Sequence, residues 1–170
     1  WETYEDVDVD SSLSFMMNVY RSGKFHSLGT FVEEPDDDFL VREGLDPEGA
    51  LYKMFNTLDD SQWRYYDKKT RVWEDDSDLE ELKDAISLTG QPLENWLFDN
   101  IDIPAVISYT AATTVMQDND HVHKNYFLYR DSDGDKEWQF IPWDKDLTFG
   151  RNFTTTGGVL NDEVWVNQDP

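Results

Sequence analysis

Residues 117 to 150 read QDNDHVHKNYFLYRDSDGDKEWQFIPWDKDLTFG, and seven of them are aspartates set among aromatics and short apolar runs. Carboxylates at that density have two chemical uses: they give hard oxygen ligands to a divalent cation, and one of them can take a proton from a hydroxyl group. Asp120 and Asn125 stand five apart, an interval that lets one tight loop aim both side chains into a cleft. Asp144 and Asp146 follow in Pro142-Trp143-Asp144-Lys145-Asp146, beyond two strand-like segments. Asp144 and Asn125, with Asp146 as a further candidate, would supply the kind of oxygen shell that Mg²⁺ accepts when phosphate oxygens complete it. On spacing alone, an Asp-rich turn capping a buried helix is the better account.

The elements that would position these residues can be read along the chain. LSFMMNVYR and FHSLGTFVEE flank Ser22-Gly23 and predict a β-hairpin. In PDDDFLVREG, Pro35 opens a short helix, early carboxylates suit its dipole and Gly44 stops it. LYKMF reads as a short strand, and residues 57–76 as a charged loop pinned by Trp63, Tyr65, Tyr66 and Trp73. Ser77 to Glu80 is a capping box ahead of Leu79, Leu82 and Ile86 on one face, with Gly90 as terminator. PLENWLFDN predicts another helix. Asp102 and Pro104 then start a nearly uncharged one through Met116, expected to be buried. YFLYR and EWQFI form a second hairpin around Asp133-Gly134. Residues 1–12 and 151–170 are expected to be loosely ordered. The class is α+β, in a single domain.

Composition narrows the choice of function. Fourteen basic against 37 acidic side chains leave a net charge of −23, which repels phosphate backbones and anionic lipid. There are no cysteines, so disulfides, thiolate metal sites and Cys nucleophiles are excluded. No apolar run approaches the roughly 20 residues of a membrane span. The chain starts at Trp1, without methionine or a signal-peptide pattern, and reads as processed or excised.

The D-x-x-x-x-N interval is also that of protein-kinase catalytic loops, in which the Asp accepts the substrate hydroxyl's proton and the Asn ligates metal. KNYFLYRD and WQFIPWDKDLTFG closely resemble the signature of the spore-coat protein H (CotH) kinase family, an atypical secreted group, N-x-D…N-Y-x-L-Y…W-x-x-x-P-W-D-x-D-x-x-F-G. NVYRSGKFHSLGTFVEEPDDDFL and GALYKM resemble earlier family stretches, so the likeness runs in order from about Asn18 to Gly150. The resemblance implies an atypical kinase-like fold, here the C-terminal, catalytic lobe without the N-terminal nucleotide lid. It implies ATP-dependent, Mg²⁺- or Mn²⁺-assisted phosphoryl transfer to Ser or Thr hydroxyls of a protein substrate, at a secreted or cell-surface location. By position, Asp120 matches the catalytic Asp and Asn125 its loop partner. Asp144 matches the metal-binding Asp, Glu33 a lysine or metal partner, and Lys53 the lysine of the family's L-Y-K. Ser22 and Ser27 depart from the family's Asn and Gly, and no G-x-G-x-x-G or Walker sequence occurs.

Other features carry weaker signals. Asp131, Asp133 and Asp135 suggest an EF-hand loop, but Lys136 occupies its glycine position, so a solvated turn is the simpler account. His121 and His123 lack a firm third zinc ligand. Lys68 and Lys69 read as solvated, or as groups that meet ATP phosphates. Asn152-Phe153-Thr154 fits a glycosylation acceptor. A non-catalytic extracellular interaction or adhesion module is the main alternative. A carbohydrate-associated domain using Trp63, Tyr65, Tyr66 and Trp73 is a third.

Overall fold

The computed structural model describes residues 1–58, 65–118, 120–121 and 124–149. Strand β5 of the central sheet (Tyr126–Arg130) is an unbroken aromatic and aliphatic run up to Tyr129, as a strand covered on both faces should be. To keep labels in chain order, the elements before it are α1 (Glu2–Glu5), β1 (Ser14–Arg21), β2 (Lys24–Val32), α2 (Asp37–Glu43), β3 (Ala50–Met54) and β4 (Tyr66–Lys68). There follow α3 (Ser77–Ala85), α4 (Gln91–Asn100) and α5 (Ile103–Val115), and after β5 comes β6 (Trp138–Pro142). The architecture is α+β with two small antiparallel sheets, one ordered β4-β3-β5-β6 and the other the hairpin β1-β2.

The period-2 alternation of the strands divides the core. On one face Ala50, Tyr52, Met54, Tyr126, Leu128 and Trp138 pack against Tyr4, Leu79, Leu82, Tyr109, Ala112 and Met116. On the other, Leu51, Phe127, Tyr129 and Ile141 pack against Phe39 and Leu40 of α2. Tyr52 pairs with Leu128 and Lys53 with Phe127, which puts Lys53 on the α2 face. At Gly49 a Cβ atom would stand 2.5 Å from Tyr129 Cε2, so the strand enters the sheet only as glycine.

Several expectations need correction. Residues 1–12 are not a loose lead: Tyr4 is fully buried, stacks on Tyr109 at 5.7 Å and shares a 3.1 Å hydrogen bond with Thr113 Oγ1. Pro35 precedes α2, whose cap is Asp36, accepting from the Phe39 amide at 3.1 Å; Gly44 closes the helix in the left-handed region at φ 81°. Ser77 is the first residue of α3 rather than its cap, because Asp76 takes the cap position. Gly90 is the N-cap of α4 and does not end α3, which stops at Ala85. The loop at 57–76 contains β4, which pairs with β3.

Helix α5 begins as expected, with Asp102 accepting from the Ala105 amide at 2.9 Å and Pro104 in its first turn. It is buried on one face only: Tyr109, Ala112 and Thr113 are covered, while Ile107 and Val115 are exposed. Uncharged sequence reported a helix compatible with burial, but packing covers only the stripe that meets the sheet. The first hairpin turns through Ser22 (φ 51°) and Gly23 (φ 76°), the paired positive φ values that match strand twist. No helix among the described residues is long and apolar enough to cross a membrane.

Candidate functional site at the carboxylate loops

Two loops meet at one end of the central sheet. The first leaves the C-terminus of α5 and enters β5; the second leaves β6 after Pro142. They are joined at Asn125, whose backbone oxygen accepts from the Trp143 amide at 3.1 Å. This bond extends the β5–β6 ladder by one step, since Tyr126 already pairs with Pro142. Sheet register therefore brings Asp144 to the loop that carries Asp120.

Asp120 and Asn125 are in direct contact. Asn125 Nδ2 donates to Asp120 Oδ2 at 2.8 Å and to the Asp120 backbone oxygen at 3.0 Å. Asn125 is buried, and Lys124 Nζ lies 3.6 Å from Asp120 Oδ2. Burial, then the charges of Asp146 and Asp120, push the Asp144 carboxyl above the ordinary range, with Lys124 and Lys145 opposing. Among the described residues no three His, Cys, Asp or Glu side chains converge to hold a metal by themselves.

Asn125 (φ 68°) and Asp144 (φ 51°) both adopt left-handed backbone, as do Gln117 (φ 50°) and Phe149 (φ 57°) at the outer ends of the two loops. Such non-glycine conformations cost of order 1 kcal/mol and concentrate where surrounding structure holds a site in place.

Asp144 and Asp146 also line a cleft of about 470 Å³ with Trp143, Lys145, Trp1, Thr30 and Val32. Its lining combines the apolar surfaces of Trp1, Val32 and Trp143 with the carboxylates of Asp144 and Asp146. Lys53 stands at the Trp143 wall, its Nζ 4.6 Å from the indole centroid and 5.5 Å from that of Phe127.

The structure separates Glu33 from this group. Arg42 clasps its carboxylate, and the Leu13 amide donates to it at 3.0 Å, which draws its pKa down against the effect of burial. The glutamate beside Lys53 is Glu34, at 3.6 Å, and the same oxygen lies 3.4 Å from Lys69. The lysine partner is thus the next residue along, because the extended chain after β2 turns alternate side chains to opposite sides.

Sequence reasoning passed over Asp118 and Lys145. Lys145 Nζ donates to Asp118 Oδ2 at 2.8 Å and to the Asn125 backbone oxygen at 3.0 Å, with the two side chains 4% and 1% exposed. Burial pulls the ammonium below its ordinary range while Asp118 works against the shift. A lysine between two aspartates gives no signal of burial.

The weaker candidates find structural employment. Asp131 and Asp135 accept from the Gly134 and Glu137 amides at 2.9 and 3.0 Å, and Asp133 pairs with Arg71 at 2.8 Å, so the turn caps itself. His121 Nδ1 lies 2.6 Å from the Asp118 backbone oxygen, while His123 lies outside the described residues. Lys68 is not solvated: it is 8% exposed, over the Tyr52 ring and 3.5 Å from Asp76. Tyr65 and Tyr66 give their hydroxyls to Glu80 and Asp76, which leaves Trp73 as the exposed aromatic of that group among the described residues. Trp63, Gly150 and residues 151–170, with Asn152, lie outside the described residues.

An α+β domain whose sheet end carries two interlocked carboxylate loops beside an aromatic cleft is the class that these observations define. A family model described as CotH kinase protein matches residues 4–168, nearly the whole chain, and the chain belongs to that family. No curated protein matches it.

Proposed function

We propose that the chain is the catalytic lobe of a kinase-like domain that transfers a phosphoryl group from ATP to Ser or Thr hydroxyls of a protein substrate. The observation that carries this reading is the meeting of the Asp120–Asn125 loop with Asp144 beside a cleft of nucleotide-compatible size. Family membership gives it chemical direction.

In this reading Asp120 orients the acceptor hydroxyl and accepts its proton, with Asn125 holding the carboxylate at 2.8 Å. Asp144, Asn125 through Oδ1, and Asp146 would hold Mg²⁺ or Mn²⁺. The donor set fits such an ion: two or three protein oxygens suffice when phosphate and water complete the shell. The metal, when bound, neutralises the charge of the phosphates. Trp143 and Val32 supply an apolar wall, and Lys53 supports Trp143 from 4.6 Å. The protein's part is positioning and electrostatics, which phosphoryl transfer chiefly requires. A secreted or cell-surface location is proposed on family likeness alone.

Calorimetric titration of Mn²⁺–ATP into the chain and into Asp144→Ala tests the reading. Binding by the parent, weakened at least ~10-fold in the variant, supports it, as does a nucleotide-dependent rise in melting temperature. No binding by the parent overturns it. A non-catalytic interaction module would then be favoured, on a specific observation: hairpin β1–β2 leaves Phe15, Met16, Tyr20, Phe25 and Leu28 exposed.

A further inference from the structure

Lys145 closes a ring of hydrogen bonds through both loops. Its Nζ reaches Asp118 Oδ2 at 2.8 Å; Asp118 Oδ1 accepts from the Asp120 amide at 3.1 Å. Asp120 is held by Asn125 Nδ2, and the backbone oxygen of Asn125 accepts from Lys145 Nζ at 3.0 Å. Two members of this circuit, Asp120 and Asn125, carry proposed chemical roles; Asp118 lies two residues before Asp120, and Lys145 lies between Asp144 and Asp146. Lys145 itself is sandwiched between Asp144 and Asp146 in sequence, yet its side chain turns inward, with Nζ 5.8 Å from the Tyr109 ring centroid on α5.

We propose that the buried Asp118–Lys145 pair is a positioning clamp that sets the separation of the Asp120–Asn125 loop from the Asp144–Asp146 loop. The proposal rests on the phosphoryl-transfer reading for its functional meaning, although the clamp itself is a structural claim. Three observations distinguish it from a surface ion pair. Both side chains are buried, at 4% and 1% exposure. The two residues are 27 apart in sequence, with a complete β-hairpin between them. And the residues between which the clamp acts, Asn125 and Asp144, are in left-handed backbone that needs external support. A buried pair of this kind adds little net stability compared with an apolar pair of like volume, so specificity of geometry is its better-supported use. Neither residue touches substrate in this account; both act through Asp120, Asn125 and Asp144.

The chain has no cysteine, so spin labels can be placed at Lys124→Cys and Asp146→Cys without background. Pulsed dipolar measurement of the label separation reads the clamp directly. The parent should give one narrow distribution. The charge-free double variant Asp118→Asn with Lys145→Met, which leaves neither charge buried alone, should unfold cooperatively but give a distribution at least about twice as wide. Without labels, the same double variant should bind Mn²⁺–ATP at least ~10-fold more weakly than the parent. An unchanged width overturns the clamp, whatever the activity. If the parent fails to bind Mn²⁺–ATP, the phosphoryl-transfer reading falls and the clamp is judged on label distances alone. Should the double variant not fold, amide exchange in the parent decides: Asp120 and Trp143 amides must exchange as slowly as those of β5, and fast exchange at either overturns the proposal.

Discussion

Asn125 Nδ2 stands 2.8 Å from Asp120 Oδ2, so the amide holds the carboxylate across the loop joining α5 to β5. That contact makes the two residues separable by kinetics. Under the proposed phosphoryl transfer, Asp120→Asn should lower kcat by about 10²- to 10⁴-fold with a smaller change in KM for ATP, the loss expected of a proton acceptor. Asn125→Ala should lower kcat and weaken metal binding together, because it frees the carboxylate and removes the oxygen proposed to ligate the metal. Steady-state assays over a Mn²⁺ series separate the two patterns; equal effects on both parameters would refute the assignment.

Trp143 connects the cleft to the second core cluster, packing edge-on against Phe127 at 5.6 Å and lining the cavity beside Asp144. If the cleft takes the nucleotide as proposed, Trp143→Ala should raise KM for ATP roughly 10-fold and leave kcat at saturating nucleotide within about threefold, since a wall contact contributes to ground state and transition state alike. Trp143→Phe should recover most of the affinity. Nucleotide titration of the two variants checks this.

Tyr4 anchors the opening segment to α5 through its ring stack on Tyr109 and its hydroxyl contact with Thr113. Tyr4→Ala should cost about 3–5 kcal/mol, the range for deleting a large buried aromatic. Tyr4→Phe should cost about 1 kcal/mol, for one buried hydrogen bond. Urea unfolding measures both, and a negligible cost for Tyr4→Ala would place the segment outside the folding unit.

Asp10 supplies a pH signature distinct from the site. Burial pushes its carboxyl from 3.8 up to about 6, against the opposing hydrogen bond from Gln139 at 2.9 Å. The folded state therefore holds the proton more tightly than the unfolded state. The associated stabilisation is fully present below about pH 3.8 and is lost as pH rises through about 6. Asp10→Asn should flatten that dependence and raise stability at pH 7 by ~1–2 kcal/mol, discounted for the solvent that still reaches the group. Thermal unfolding between pH 4 and 8 tests the sign; destabilisation at pH 7 would contradict it.

The sequence by itself determined the elements whose signals are local. Paired turn residues specify the hairpin at Ser22-Gly23, Asp102 and Pro104 specify the start of α5, and YFLYR and EWQFI specify the second hairpin. It also carried the pattern of the family whose model matches residues 4–168, and the five-residue interval that lets Asn125 reach Asp120. Only the tertiary structure decided the rest. Whether α5 was buried on one face or all round depended on what else packed there, which no uncharged stretch can report. Whether Glu33 or Glu34 would meet Lys53 depended on one step of strand phase. Nothing local marks Lys145 and Asp118, which meet only because the β5–β6 register brings their loops together, excluded from water. Burial and long-range pairing are properties of the assembled chain, and contacts between residues 27 apart leave no local trace in composition or spacing.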